Sequence, residues 1–122
     1  MAVTFILRLM FIFWALAVAV LSVISYPGSK DLLMSVKLTS SGFVIHCIAY
    51  FVGIFLCYFA FDKKNISFVL WSGLSIFFFS VVLEGVQFYL PNRTFNWYDV
   101  VANGVGVVFF VVVWMFFINK RL

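Results

Sequence analysis

Charged residues divide this chain into long apolar segments joined by short polar connectors. Residues 4–25, 42–61, 65–90 and 98–118 each contain at most one formally charged residue. A helix needs roughly 20 mostly apolar residues to cross about 30 Å of hydrocarbon, and a helix satisfies its own backbone groups in lipid, which an open strand or loop does not. The pattern therefore predicts an all-α integral membrane bundle of four transmembrane helices, forming one domain over residues 1–122.

The first segment also has some features of a secretory signal peptide. Its apolar run is longer than the roughly 7–15 residues usual for such a region. Val23 and Ser25 are tolerable at a cleavage site, but no Ala-x-Ala precedes Tyr26. We interpret the segment as a membrane anchor rather than a cleaved leader.

Composition supports a membrane location and argues against nucleic-acid binding. The chain is 66% hydrophobic and only 10% charged, which is too few charged residues to cover a soluble domain of this length. The net charge of +4 comes from basic residues scattered through the connectors, with no basic stripe or dense patch. Membrane lipids are therefore the first expected partners, and no nucleic acid is expected.

The basic residues also predict an orientation. Five of them fall on one side of the four predicted spans: Arg8, Lys63, Lys64, Lys120 and Arg121. Three fall on the other side: Lys30, Lys37 and Arg93. Cytoplasmic loops carry the excess of Lys and Arg. We expect both termini in the cytoplasm and the protein in the bacterial cytoplasmic (inner) membrane.

Under that orientation, the polar residues within the spans gather in the outer half of the membrane, although they belong to three different helices. On the second helix His46, Tyr50 and Gly53 share one face, at spacings of four and seven. The third and fourth helices contribute Glu84, Gln87, Asp99 and Asn103, and Arg93 lies in the turn between them. These seven polar residues are the candidate ligand-binding site: His46, Tyr50, Glu84, Gln87, Arg93, Asp99 and Asn103.

Each residue also has a purely structural interpretation. Asp99 is placed to cap a helix N-terminus, Asn103 can join two helices by a hydrogen bond, and Arg93 can be a solvated loop residue. His46 is a lone histidine of the kind that often only packs. Glu84 is the hardest to explain structurally, since ionisable residues within a membrane are expensive and usually functional.

Metal and cofactor sites are not expected. The chain has a single histidine, and Cys47 beside it points to another helix face, so no closed ligand set forms. Cys47 and Cys57 would lie about 15 Å apart along one helix, too far to bridge each other. No phosphate loop, nucleotide fingerprint or serine elbow is present.

The stretch from Glu84 to Gly106 resembles the signature of the VanZ-like family. That signature is matched by residues of the third and fourth segments and their connector: Glu84, Gln87, Pro91, Arg93, Asp99, Asn103, Gly104 and Gly106. His46-x-x-x-Tyr50 is similar to the family's segment on the second helix. Family members often carry Asp-Lys shortly before this histidine, where this chain has Gly42-Phe43, so Lys37 is an alternative partner.

The resemblance implies a four-span fold and this polar site, but no established reaction. The family is named for low-level resistance to the glycopeptide teicoplanin. Our first hypothesis is binding of a cell-envelope lipid, glycan or lipoglycopeptide, with a contribution to glycopeptide tolerance. The alternatives are an intramembrane enzyme using Glu84 and His46 on a lipid-linked substrate, and a structural subunit in a homo- or hetero-oligomer.

Overall fold

The computed structural model describes residues 2–23, 40–61, 65–89 and 97–119, which form a helical bundle. Within these ranges there are four α-helices, and the last continues into a π-helical turn: α1 (Ala2–Val23), α2 (Ser40–Ala60), α3 (Ile66–Phe88), α4 (Trp97–Val113) and the turn Trp114–Ile118. All four are long and apolar enough to cross a membrane. The predicted all-α membrane bundle is confirmed, with helix ends close to the predicted ones.

The two ends of the bundle have different chemistry. Because successive helices run in opposite directions, the start of α2, the end of α3 and the start of α4 meet at one end, which we call the His46 end. The opposite end contains Ala60, Asn65 and Asn119, and we call it the Asn65 end. The predicted connectors, residues 26–41, 62–64 and 91–99, lie almost entirely outside the described residues.

The interior of the bundle is more polar than its surface. Many large apolar side chains are exposed on the outside, including Phe13, Trp71 and Phe78. The interior holds an apolar core around Ile54 and Phe110 together with six buried polar residues: Ser72, Ser80, Glu84, Gln87, Asp99 and Asn103. An apolar exterior around a partly polar interior is the arrangement that lipid favours, because uncompensated polar groups are costly there.

Helix α1 is the least buried of the described helices, and two side chains fasten it to α2. The indole nitrogen of Trp14 donates a hydrogen bond to the Ala49 carbonyl at 2.9 Å, and its ring covers Gly53. At the Asn65 end, Arg8 Nε donates to the Ala60 carbonyl at 2.9 Å. A cation at the last carbonyls of a helix both satisfies them and complements the helix dipole.

The largest interface joins α2 to α4. Gly106 lies directly against the backbone carbonyl of Cys47, so that the two helix backbones touch where a side chain would otherwise separate them. Ala102, one turn earlier on α4, is fully buried. Small residues permit this close approach in membrane bundles. The approach brings His46, the residue before Cys47 on α2, within reach of α4.

Candidate functional site

Three helices deliver the predicted polar residues to the His46 end. His46 lies six residues after the start of α2, Asp99 two residues after the start of α4, and Glu84 four residues before the end of α3. At 1.5 Å per residue, these positions lie within about 10 Å of the helix ends. The structure therefore places them at a shared end of the bundle, as the sequence predicts.

His46 bridges α2 and α4. Its Nδ1 lies 3.1 Å from Asn103 Oδ1, and its Nε2 lies 3.5 Å from Asp99 Oδ1. Asp99 and Asn103 are four residues apart and so lie on one face of α4, which places one oxygen beside each imidazole nitrogen. With Asn103 Oδ1 as the acceptor, Nδ1–H is the donor; a second proton on Nε2 would make an imidazolium ion paired with Asp99.

Glu84 extends the polar group into the bundle. It is only 3% exposed and lies close enough to Tyr50 to interact with it electrostatically. Tyr50 is buried one turn beyond His46 on α2, and the ring of Trp14 packs edge-on against it with centroids 5.5 Å apart. Gln87 is buried on the Glu84 face of α3. The site thus continues inward from the imidazole to a buried carboxyl.

Access to this cluster is uneven. The His46 side chain is 29% exposed, whereas that of Asp99 is 3% exposed. A ligand approaching the His46 end would therefore meet the imidazole first and reach the carboxyl groups only beside it. Binding sites commonly place a few convergent polar groups in a largely apolar wall.

Charge is separated along the bundle. The two acidic residues in the described ranges, Glu84 and Asp99, both lie at the His46 end. The single lysine or arginine in those ranges, Arg8, lies at the Asn65 end against Ala60. The predicted cationic members of the site, Arg93 and the alternative partner Lys37, lie outside the described residues, so their pairing stays a prediction.

The described part of the site is rich in hydrogen-bonding groups. Two carboxyl groups, two amides, a phenol and an imidazole supply mainly hydrogen-bond acceptors with a few donors. Among the residues described, no three His, Cys, Asp or Glu side chains gather as a metal ion would require.

Two further residues shape the site, and the sequence pattern does not single them out. Trp14 lies on α1 within an apolar run, yet it packs on Tyr50 and covers Gly53. Cys47 supplies the backbone surface against which Gly106 packs. The spacing of Gly53 four residues after Ala49 indicates a small-residue groove, but spacing alone does not indicate which aromatic residue fills it.

Comparison of the chain with known protein families, curated proteins and solved structures gives no match. The resemblance to the VanZ-like family therefore depends on the ordered residues from Glu84 to Gly106 and on His46 and Tyr50. Three of these, His46, Asp99 and Asn103, are in direct contact in the structure.

Proposed function

We propose that this four-span membrane protein binds the polar head group of a cell-envelope lipid, glycan or lipoglycopeptide at its His46 end. The observation that carries the proposal is the set of five buried polar or phenolic side chains, contributed by three apolar helices, beside the partly exposed His46. Packing alone needs no such concentration, because helices associate in membranes through small residues and isolated hydrogen bonds.

The groups at the site favour a ligand rich in hydroxyl or ammonium groups. Asp99 and Glu84 supply carboxylate oxygens, and Asn103 supplies an amide oxygen, all of which accept hydrogen bonds. Sugars and amines offer the complementary donors. A lipid whose head group is bound there would keep its acyl chains against the exposed apolar helix faces. This arrangement accounts for the position of the site at the end of the membrane-spanning helices.

The resemblance to the VanZ-like family supports the envelope as the source of the ligand. In that interpretation the protein lies in the bacterial cytoplasmic membrane, the His46 end faces outward, and ligand binding contributes to glycopeptide tolerance. The bias of basic residues supports the same orientation.

An intramembrane enzyme is the second candidate, and the contact between His46 and Asp99 favours it. A carboxylate that orients an imidazole is a recurrent element of proton-transfer catalysis. The distinction is chemical: an enzyme would release an altered ligand, whereas a binding protein would retain the original one.

The orientation can be tested by cysteine labelling in intact cells. With Cys47 and Cys57 replaced by serine, we expect a membrane-impermeant thiol reagent to modify single cysteines at Ser29 and Asn92. A cysteine at Lys64 should react only after the membrane is opened. Labelling of the Lys64 position in intact cells would reverse the proposed orientation.

The binding proposal predicts a retained ligand. Protein extracted gently from its native membrane should carry a glycolipid, lipid-linked glycan or similar molecule that mass spectrometry identifies. His46→Leu should reduce the amount of retained ligand by about tenfold, because both hydrogen-bonding nitrogens of the imidazole are lost.

Ser80→Ala is the matched control for that measurement. Ser80 is fully buried on α3, but its hydroxyl donates to the Phe77 carbonyl of its own helix at 2.7 Å. Its loss should leave the ligand in place. Equal ligand content in wild-type and His46→Leu protein would contradict the proposed site.

A further inference from the structure

A polar pocket lies at the opposite end of the bundle. Its volume is about 320 Å³, and its walls are the start of α3 and the π-helical end of α4: Asn65, Ile66, Trp114, Met115 and Asn119. None of these residues belongs to the His46 cluster. We propose that this pocket binds a phosphate group, namely that of an anionic phospholipid in the adjoining leaflet.

The π-helical turn creates one wall of this pocket. The Asn119 backbone N–H bonds to the Trp114 carbonyl, a spacing of five residues. In an α-helix of about 3.6 residues per turn, residues five apart point in different directions. The wider π turn brings Trp114 and Asn119 onto the same side, where both line the pocket. Such turns often occur at functional sites.

Trp114 provides an unused hydrogen-bond donor at this wall. The residue is 2% exposed, and its indole nitrogen has no acceptor within the described ranges. Its ring is held edge-on against Tyr58, with centroids 6.3 Å apart. Leaving a buried donor unsatisfied costs about 1–3 kcal/mol, so an acceptor oxygen in the neighbouring pocket would relieve that cost.

The opposite wall is a helix N-terminus with donors of its own. Asn65 caps α3 by accepting a hydrogen bond from the Phe68 N–H at 2.8 Å through Oδ1. That bond leaves the Asn65 amide NH₂ free to donate elsewhere. The first N–H groups of a helix also carry the positive end of its dipole, which attracts phosphate. The start of α3 therefore presents donors to the pocket, and the unsatisfied indole of Trp114 belongs to the facing wall.

Positive charge at this end matches the ligand. Arg8 lies here, with its guanidinium against the Ala60 carbonyl and over the Phe61 ring. The sequence places Lys-Lys directly before Asn65 and Lys-Arg directly after Asn119; these four lie outside the described ranges. Basic residues beside membrane spans attract anionic lipids. A phospholipid would present its phosphate at the depth where the two helices end.

The test is a titration of the full-length, detergent-solubilised protein with phosphatidylglycerol, followed by native mass spectrometry. Asn65→Asp retains the helix cap, because aspartate is an equally good N-cap, but it replaces the amide donors by a negative charge. We expect about tenfold weaker lipid binding. Trp114→Phe retains the aromatic packing and removes the N–H, and binding should weaken about threefold.

Two variants serve as matched controls. Ser67→Asp adds the same charge to an exposed position in the first turn of α3, and Trp71→Phe removes the indole of an exposed tryptophan on that helix. Trp71→Phe should bind phosphatidylglycerol as wild type does, and Ser67→Asp should weaken binding less than Asn65→Asp does, because Ser67 does not line the pocket. Equal loss of lipid binding in Asn65→Asp and Ser67→Asp would attribute the effect to general surface charge and overturn the proposal. Unchanged lipid binding in Asn65→Asp and Trp114→Phe would also overturn it.

Competition with inorganic phosphate distinguishes the two sources of the ligand. Displacement of the lipid, with the same dependence on Asn65 and Trp114, would show a phosphate site open to free anions. Lipid binding that resists inorganic phosphate would show that the acyl chains hold the phosphate in place. Either result supports phosphate recognition, and neither depends on the ligand of the His46 end.

Discussion

Glu84→Gln should abolish ligand retention and any associated envelope-drug tolerance while leaving the protein folded and inserted. The substitution is nearly isosteric and keeps an oxygen acceptor, but it removes the negative charge from a side chain that is 3% exposed. An intramembrane charge is expensive, so stability should be equal or slightly higher. A charge-assisted contact to ligand is worth roughly 1.5–3 kcal/mol, or about ten- to a hundredfold in affinity.

Glu84→Asp is the appropriate companion variant. It retains the charge and shortens the side chain by one methylene, so it should keep part of the activity that the glutamine variant loses. Membrane abundance and melting temperature of the solubilised protein should be measured beside ligand content and tolerance. Normal ligand content and tolerance in Glu84→Gln would show that Glu84 only holds helices together.

Gly106→Ala should cause the largest loss of stability of any glycine-to-alanine substitution at the described glycines. An added Cβ would overlap the backbone carbonyl of Cys47, which cannot move aside as a flexible side chain can. Forcing extra volume into a packed contact costs about 1–3 kcal/mol. The separation of α2 from α4 would also lengthen the 3.1 Å contact between His46 and Asn103.

Gly85→Ala provides the control with identical chemistry. A Cβ at Gly85 would have no neighbouring atom within 4 Å. Alanine is also favoured over glycine in a helix by about 1 kcal/mol. The melting temperature should therefore fall in Gly106→Ala and stay level or rise in Gly85→Ala, and ligand content should fall only in the former. Equal melting temperatures would contradict close helix contact at Gly106.

The sequence indicates the membrane bundle well because the lipid environment restricts the choice of structure. Four apolar segments of roughly membrane length have to be helices in hydrocarbon, and alternation of direction then brings His46, Glu84 and Asp99 to one end. Helical spacing also predicts which residues share a face, as for Asp99 and Asn103. The sequence therefore groups the candidate site residues without knowledge of their contacts.

Contacts between helices required the tertiary structure. Helical spacing on α2 and α4 does not specify that the His46 imidazole lies between Asp99 and Asn103, because the relative rotation of two helices depends on the packing of all their side chains. Small residues such as Gly106 permit helices to approach closely, but only the packing identifies Cys47 as its neighbour. The same applies to Trp14, whose indole reaches Ala49 from a separate helix.

The pocket at the Asn65 end shows this limit most clearly. Asn65, Trp114 and Asn119 have no common spacing in the sequence, and a regular helix would place the last two on different sides. Their meeting depends on a π-helical turn, a local widening with no simple sequence signature. The lengths of the apolar segments and the positions of the charged residues thus determine the number of spans and the end at which polar groups collect. Both features follow from the cost of placing polar groups in lipid. Pairing of particular side chains is decided by tertiary packing, since it depends on how separate helices rotate and approach one another.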